Sequence, residues 1–339
     1  MKFLGISFAP LVVPLHRRLE TFAVAQWCIL FLVGGLFCFL FLLYLLTTSF
    51  YWVTILAYIW FYIDWHTSHR GGRRSQWMVT SRFWRHMANY FPARLHKTAD
   101  LDLKHNYMFG FHPHGVMGIG AFISFGTDAT DFSKKFPGLK PTLLILSQQF
   151  YFPLWRDYLM SVAICDVNRE SVDYSLGKCG ESGNAVIIVV GGAIESLEAH
   201  PNSHTLYLKG RKGFVKRAII HGAHLVPVYS FGETDIYEQI PNPPGSRLKW
   251  FQTKMTKILG FAPPIFHGRG IFNYTMGIIP YRKPINTVVG KPIAISKDTS
   301  PSQEKVDRIH QEYVESLETL FEENKTKYGV DPDKHLTLT

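Results

Sequence analysis

His112-Pro113-His114-Gly115 places two imidazoles within one tetrapeptide of this 339-residue chain. Histidine is the side chain whose unperturbed pKa suits proton transfer near neutral pH. Pro113 fixes its own φ and pushes His112 towards an extended conformation. Gly115 permits a tight turn with close backbone approach. The residues before it, Tyr107 to Phe111, are mostly apolar and aromatic and read as a short buried strand. The imidazoles then sit on a stiff turn at a strand end, where α/β proteins commonly place ligand sites. This local pattern leaves three roles open: a general base, half of a metal site, and polar capping of the strand.

Glu195 is the second candidate. Asn184 to Val190 is apolar after its first residue, as a strand buried on both faces should be. Gly191-Gly192 breaks it, and Glu195 follows within one turn. A solvated glutamate at a helix start, favoured by the helix dipole, is the plainer alternative. The third group is Lys209, Arg211, Lys212 and Lys216, in a basic stretch that reads as a loop feeding a helix. Backbone N–H groups at a helix start, with several cations, form a site for phosphate. A solvated charged face would have the same composition.

The elements that must position these groups follow an α/β pattern from about residue 100. Candidate strands are 106–111, 142–146, 161–166, 184–190, 224–230 and 286–290. Residues 76–91 place Trp77, Trp84, Met87 and Phe91 near helical spacing, with Arg82 and Arg85 between them. They read as a helix in the lipid headgroup region, or equally as one packed on the domain. Residues 245–260 repeat that theme, with Leu248, Phe251, Met255, Ile258 and Leu259 on one face. Ser300 and Gln303 predict a capping box, with Pro301 at the first helical position. The stripe Val306, Ile309, Tyr313, Leu317, Leu320 that follows reads as packing.

Upstream, no charged residue occurs from Thr21 to Ile63. A membrane span needs ~20 residues, so this run is long enough for two. The polar cluster Thr47-Thr48-Ser49 divides it into helices at roughly 23–46 and 50–63. Arg17 and Arg18 precede the run; Arg70, Arg73, Arg74, Arg82, Arg85, Arg94 and Lys97 follow it. Basic flanks on both sides of a hairpin place both termini in the cytosol. The run is too long for a signal peptide, and no small-residue cleavage site follows it. The expected order is a cytosolic N-terminus (1–20), a membrane hairpin (21–63), a basic-aromatic interfacial segment (64–99), the main domain (100–330) and a C-terminal tail (331–339).

The net charge of +10 points to nucleic acid, anionic lipid or a phosphorylated substrate. The apolar run favours membrane, and no nucleic-acid-binding signature is present. Cys28, Cys38, Cys165 and Cys179 have no metal-ligand spacing, which fits reduced thiols facing the cytosol.

Taken together, the motifs resemble the diacylglycerol and monoacylglycerol acyltransferase family, which includes the wax-alcohol acyltransferases. The resemblance covers nearly the whole chain. It is carried by Tyr90-Phe91-Pro92, His112 to Gly115, Gly191 to Glu195, Arg211 to Lys216, Phe231-Gly232-Glu233, Phe266 to Gly270 and Val288 to Pro292. It implies an α/β fold: an N-terminal membrane helical hairpin, then a glycerolipid-acyltransferase-like domain with a mixed, mainly parallel sheet. It also implies acyl transfer from acyl-CoA to an acylglycerol hydroxyl, in a multi-pass protein of the endoplasmic reticulum and lipid droplet surface.

No metal and no tightly bound cofactor are expected, since acyl-CoA is a co-substrate; a homo-oligomer is left open. Phe39 to Leu45 resembles the family's neutral-lipid-binding stretch. One histidine would be the base, and the other imidazole or backbone N–H groups would stabilise the oxyanion. Lys209, Arg211, Lys212 and Lys216 would hold CoA phosphates. More distant glycerolipid acyltransferases carry an aspartate five positions after the histidine; here Met117 and Ile119 stand there, and Glu195 is the expected replacement. The N-terminus and residues Ile279 to Arg282 look like the 2-monoacylglycerol enzymes, whereas Asn184 to Val190 looks like the diacylglycerol enzymes. The acceptor expected is 2-monoacylglycerol, with diacylglycerol as alternative. A non-catalytic hairpin protein that coats droplets is the contrasting class, but it gives no reason for the paired histidines.

Overall fold

The computed structural model describes residues 2, 3, 5–10, 12–178, 181–243, 245–259 and 264–339; Cys179 lies outside the described residues. Seven strands form its main sheet: β1 (Arg94–Lys97), β2 (Tyr107–His112), β3 (Lys140–Ile145), β4 (Ile164–Asp166), β5 (Asn184–Val189), β6 (His224–Phe231) and β7 (Asn286–Val289). Their order is β1-β7-β6-β2-β5-β3-β4, and only β6 and β7 pair antiparallel. The mixed, mainly parallel sheet is the one expected. β2 lies between β5 and β6, so its six residues are all buried.

Two of its details depart from the strand expectations. β1 is an extra edge strand whose residues are charged or polar except for buried Leu95. Edge strands take such residues, which hides them from a search for apolar runs. β4 starts at Ile164 rather than 161, because Ser161 ends a helix and Ala163 has φ +58°. That left-handed backbone cannot continue a strand.

The alternation of β2 feeds two cores. Phe109 and Phe111 join one with Trp27, Trp84 and Phe125; Met108 joins the other with Phe214, Tyr313 and Leu317. Helix α1 (Leu15–Leu45) enters the first core through its N-terminal half, where Trp27 stacks on Phe122 at 3.5 Å. Its later residues, such as Leu36, Phe37, Leu40 and Phe41, are exposed. α1 is long and apolar enough to cross a membrane; the 13-residue α2 (Tyr51–Ile63) is shorter than a span.

α1 begins at Leu15, eight residues before the expected 23, so residues 15–20 are helical. Of their charges, Glu20 is buried against Arg282, whereas Arg17 and Arg18 are exposed. The Thr54 hydroxyl of α2 donates to the Leu42 carbonyl of α1 at 2.8 Å. Buried Arg156 donates to the Asp64 and Trp65 carbonyls at 3.0 and 3.2 Å, which ties the end of α2 to the domain.

Residues 76–91 form two short helices, Gln76–Val79 and α3 (Arg82–Tyr90). Trp84, Met87 and Phe91 are buried, so they pack on the domain rather than on lipid; Trp77 is exposed. Downstream, α4 (Gly213–His221) packs on the second core and α5 (Arg247–Leu259) leaves Trp250, Phe251 and Ile258 exposed.

α6 (Gln303–Asn324) buries its whole expected stripe. Its cap is Ser302, whose hydroxyl accepts the Lys305 N–H, not Ser300. The Ser300 N–H instead donates to Asp298, so the turn ends two residues later than the capping-box reading has it, and Pro301 precedes the cap. The C-terminal residues Thr337–Leu338 pair in parallel with Thr205–Leu206, next to the basic stretch.

Candidate active site

Both histidines lie where expected, at the C-terminal end of the central strand. Their surroundings differ. His112 is fully buried, with Nε2 2.9 Å from the Tyr313 hydroxyl. That hydroxyl is also 3.1 Å from the Gly110 carbonyl, to which it can only donate. A tyrosine has one proton, so with it on Gly110 the hydroxyl must accept from His112 Nε2–H. The opposite arrangement would leave Nδ1–H as a buried donor without a partner, which is rarer and costlier than an unpaired lone pair. His112 Nδ1 therefore carries the lone pair, unpartnered among the described residues. Burial pushes the His112 pKa down to about 3, so the ring is neutral at physiological pH. Tyr313 belongs to the stripe read as packing; it packs, and it also fixes a ring of the motif. Gly110 must be glycine, since a Cβ there would lie 1.9 Å from the Tyr313 hydroxyl.

His114 is half-buried. Its Nδ1 lies 3.0 Å from the Gly115 carbonyl, which assigns the proton to Nδ1 and leaves the Nε2 lone pair free. Burial lowers its pKa from the ordinary histidine value, with the backbone hydrogen bond opposing. One nitrogen is thus oriented by an acceptor, and the other has no hydrogen-bond partner among the described residues.

Glu195 comes within reach of the motif by an unexpected route. It lies in a short helix (Gly192–Ser196) after β5 and is buried. Its Oε1 accepts the His114 backbone N–H at 2.6 Å, and Oε2 accepts the Tyr207 N–H at 2.9 Å. The carboxylate thus grips the backbone of the turn, and neither of its hydrogen bonds is to an imidazole. Burial pushes its pKa up to about 6, against the two N–H bonds and the Arg211 charge.

Through Tyr207 the same carboxylate ties the histidine turn to the start of the basic stretch. Lys209, Arg211 and Lys216 are exposed there, and Arg211 donates to the Gly191 carbonyl at 3.4 Å. Lys212 pairs with Asp307 at 2.9 Å. The nine-residue α4 that follows has no side-chain cap at Lys212, so no capping side chain satisfies its first N–H groups.

Glu233 was marked as part of a motif but given no role. It stands two residues after β6, is fully buried, and its Oε2 accepts the Gly120 N–H at 2.9 Å. Oε1 has no partner among the described residues and packs against Gly115, where a Cβ would lie 3.1 Å from it. A Cβ on Gly120 would lie 2.2 Å from Oε2. A carboxyl therefore stands beside residues 119–120, where the expected aspartate is missing, contributed by a strand far away in sequence. The sequence signals were the Phe231-Gly232-Glu233 motif and its place after a candidate strand.

Burial pushes the Glu233 pKa up to about 8 from the ordinary 4.5. Between those values the folded chain holds a proton that the unfolded chain has released, so stability falls as pH rises. Glu233→Gln cannot ionise; it should retain turnover and melt increasingly higher than the wild type as pH rises from about 4.5 to about 8, with the two equal below pH about 4.5. Glu233→Ala leaves the Gly120 N–H unbonded, at a cost of about 1–3 kcal/mol, and should melt lower at every pH. Thermal melts across the pH range check both.

Comparison with known proteins now gives the geometry its family. The family model described as diacylglycerol acyltransferase matches residues 43–339. The chain is 49% identical over 332 residues to 2-acylglycerol O-acyltransferase 1 of Bos taurus, covering 98% of each. It is 49% identical over 316 residues to diacylglycerol O-acyltransferase 2 of Bos taurus, covering 93% of this chain and 87% of the other. Among solved structures, the 1-acyl-sn-glycerophosphate acyltransferase of Thermotoga maritima aligns over 89% of this chain and 95% of its own. At 12% identity and a TM-score of 0.40, that likeness is too slight to build on. The match over nearly the full length, with the histidine turn at the head of the central strand, places the chain in the diacylglycerol acyltransferase family, the acyl-CoA-dependent acylglycerol O-acyltransferases.

Proposed function

We propose that the protein transfers a fatty acyl group from acyl-CoA to 2-monoacylglycerol, with diacylglycerol as the alternative acceptor. The observation that carries this reading is half-buried His114, whose Nδ1–H is held by Gly115 and whose Nε2 has no hydrogen-bond partner among the described residues. Nε2 removes the acceptor hydroxyl proton as that oxygen attacks the thioester carbonyl. The tetrahedral intermediate collapses to the ester, the C–S bond breaks, and the proton passes to the departing CoA sulfur. His112 cannot give its Nε2–H to the oxyanion while Tyr313 holds it, so backbone N–H groups of the turn are the better donors. Lys209, Arg211 and Lys216, beside the uncapped start of α4, hold the CoA phosphates; Lys212 contributes less because Asp307 already neutralises it.

The near-complete coverage in both directions of a 2-acylglycerol O-acyltransferase supports the monoacylglycerol acceptor. Purified protein given acyl-CoA with labelled monoacylglycerol, diacylglycerol or long-chain alcohol in parallel tests this. Faster use of diacylglycerol would reverse the order, and no thioester release with any acceptor would end the reading. Replacing Lys209 and Arg211 with Ala should raise KM for acyl-CoA more than KM for acylglycerol, and the defect should grow with ionic strength. An unchanged acyl-CoA response would move the phosphates elsewhere.

In the membrane, α1 and α2 act as a hairpin of the endoplasmic reticulum, with both termini cytosolic and access to the lipid droplet surface. The basic flanks and the Thr54–Leu42 hydrogen bond support this. Protease protection of tags at the two ends in sealed microsomes tests it; protection of one end alone would mean an odd number of crossings.

A further inference from the structure

A cavity of about 1370 Å³ opens between residues 8–10 and 12–14, the start of α1 and residues 269–283. None of His112, His114, Glu195, Lys209, Arg211 and Lys216 lines it. Tyr237 stands between the two sites: its hydroxyl donates to the Ile278 carbonyl at 3.0 Å and lies 3.5 Å from Cys28 Sγ and Met117 Sδ.

The cavity wall is of two kinds. Phe8, Val12, Phe22 and Phe272 make part of it apolar. Arg17, Arg18, Arg269, Arg282 and Lys283 face one acid, Glu238. Some of that charge is already answered: Arg282 pairs with Glu20, and Arg17 lies 3.9 Å from the same carboxylate. Glu238 lies 3.5 Å from His267. Arg269 and Lys283 have no carboxylate partner among the described residues.

Arg269 is the informative one, because it is only 7% exposed. Its Nε donates to the Gly270 carbonyl at 3.1 Å, and its guanidinium lies over the Tyr274 ring at 4.5 Å and close to Tyr90. A buried cation without a counter-charge is costly, and an anion in the cavity would remove that cost.

We propose that this cavity binds an anionic amphiphile, with its acidic head on Arg269 and Lys283 and its acyl chain along Phe8, Val12, Phe22 and Phe272. The guanidinium fork matches phosphate or carboxylate oxygens. The volume exceeds the ~300–1,000 Å³ of sites for small molecules, which suits a lipid chain. Phosphate lipids and free fatty acids share this chemistry, and the test separates them.

Full-length protein in neutral detergent is given dioleoyl phosphatidate, oleate or dioleoyl phosphatidylcholine, and retained lipid is counted by native mass spectrometry. One phosphatidate or one oleate per chain is expected, roughly tenfold over phosphatidylcholine, and the tighter of the two names the source. Lys283→Glu, at an exposed position, should weaken anionic-lipid binding by about tenfold. Arg269→Gln should do the same, and if it misfolds Lys283→Glu decides. Equal retention of phosphatidylcholine, unchanged binding by Lys283→Glu, or one-for-one displacement by oleoyl-CoA would each overturn the proposal; the last would make the cavity the donor site. Binding is read without turnover, so its failure leaves the acyl-transfer reading standing.

Discussion

His114→Ala should lower kcat by ~10²–10⁴-fold while the protein accumulates and melts like the wild type. The side chain is half-buried and its ring bonds locally, to the Gly115 carbonyl, so its removal strands no distant partner among the described residues. His112→Ala should behave differently. It empties a buried position and strips the Tyr313 hydroxyl of its ring partner. Protein level and melting temperature should fall together with activity. Turnover and thermal stability measured on both variants check the division of labour. A His114→Ala enzyme with near-normal kcat would remove that residue from the chemistry and return the base to His112 Nδ1.

Glu195→Ala has the second-largest expected effect. It leaves the His114 and Tyr207 N–H groups without their acceptor in a buried place. Each unmet donor costs about 1–3 kcal/mol, and every 1.36 kcal/mol lost from transition-state stabilisation is tenfold in rate. Loss of turnover of roughly 5- to 160-fold follows if half of the cost of both donors reaches the turn geometry. Glu195→Gln should be milder, because its one amide oxygen can serve only one of the two donors.

A pH signature separates this role from a plain packing role. The Glu195 carboxyl is pushed up to about 6, so protonation begins to spoil its acceptor pair as pH falls through that value. Burial also holds the His114 ring below its ordinary value, which moves its own protonation to more acid pH. The acid limb of kcat should therefore begin near pH 6 in the wild type and move to more acid pH in Glu195→Gln. A limb that persists unchanged in the variant would show that another group sets it.

Much of the fold was legible in the sequence because it rests on local and periodic signals. Apolar runs marked six of the seven strands, since a strand buried on both faces has little choice of residue. The α6 stripe was legible for the same reason. β1 was not, because an edge strand tolerates charge. The start of α1 was not either, because Glu20 is stabilised by Arg282, a residue from the far end of the chain.

The site divides along the same line. Residue types by themselves determined the histidine turn, the glutamate after a glycine break and the basic stretch, because imidazole, carboxylate and guanidinium chemistry follows from side-chain identity. What each one touches was decided only by the tertiary structure. Parallel strands set Glu195 beside the backbone of His114 and set Glu233 beside Gly120. α6, crossing from the end of the chain, brought Tyr313 to His112 and so selected its tautomer. A hydrogen bond between residues two hundred positions apart has no local signature; it exists only once burial has excluded water and left the two groups no other partner.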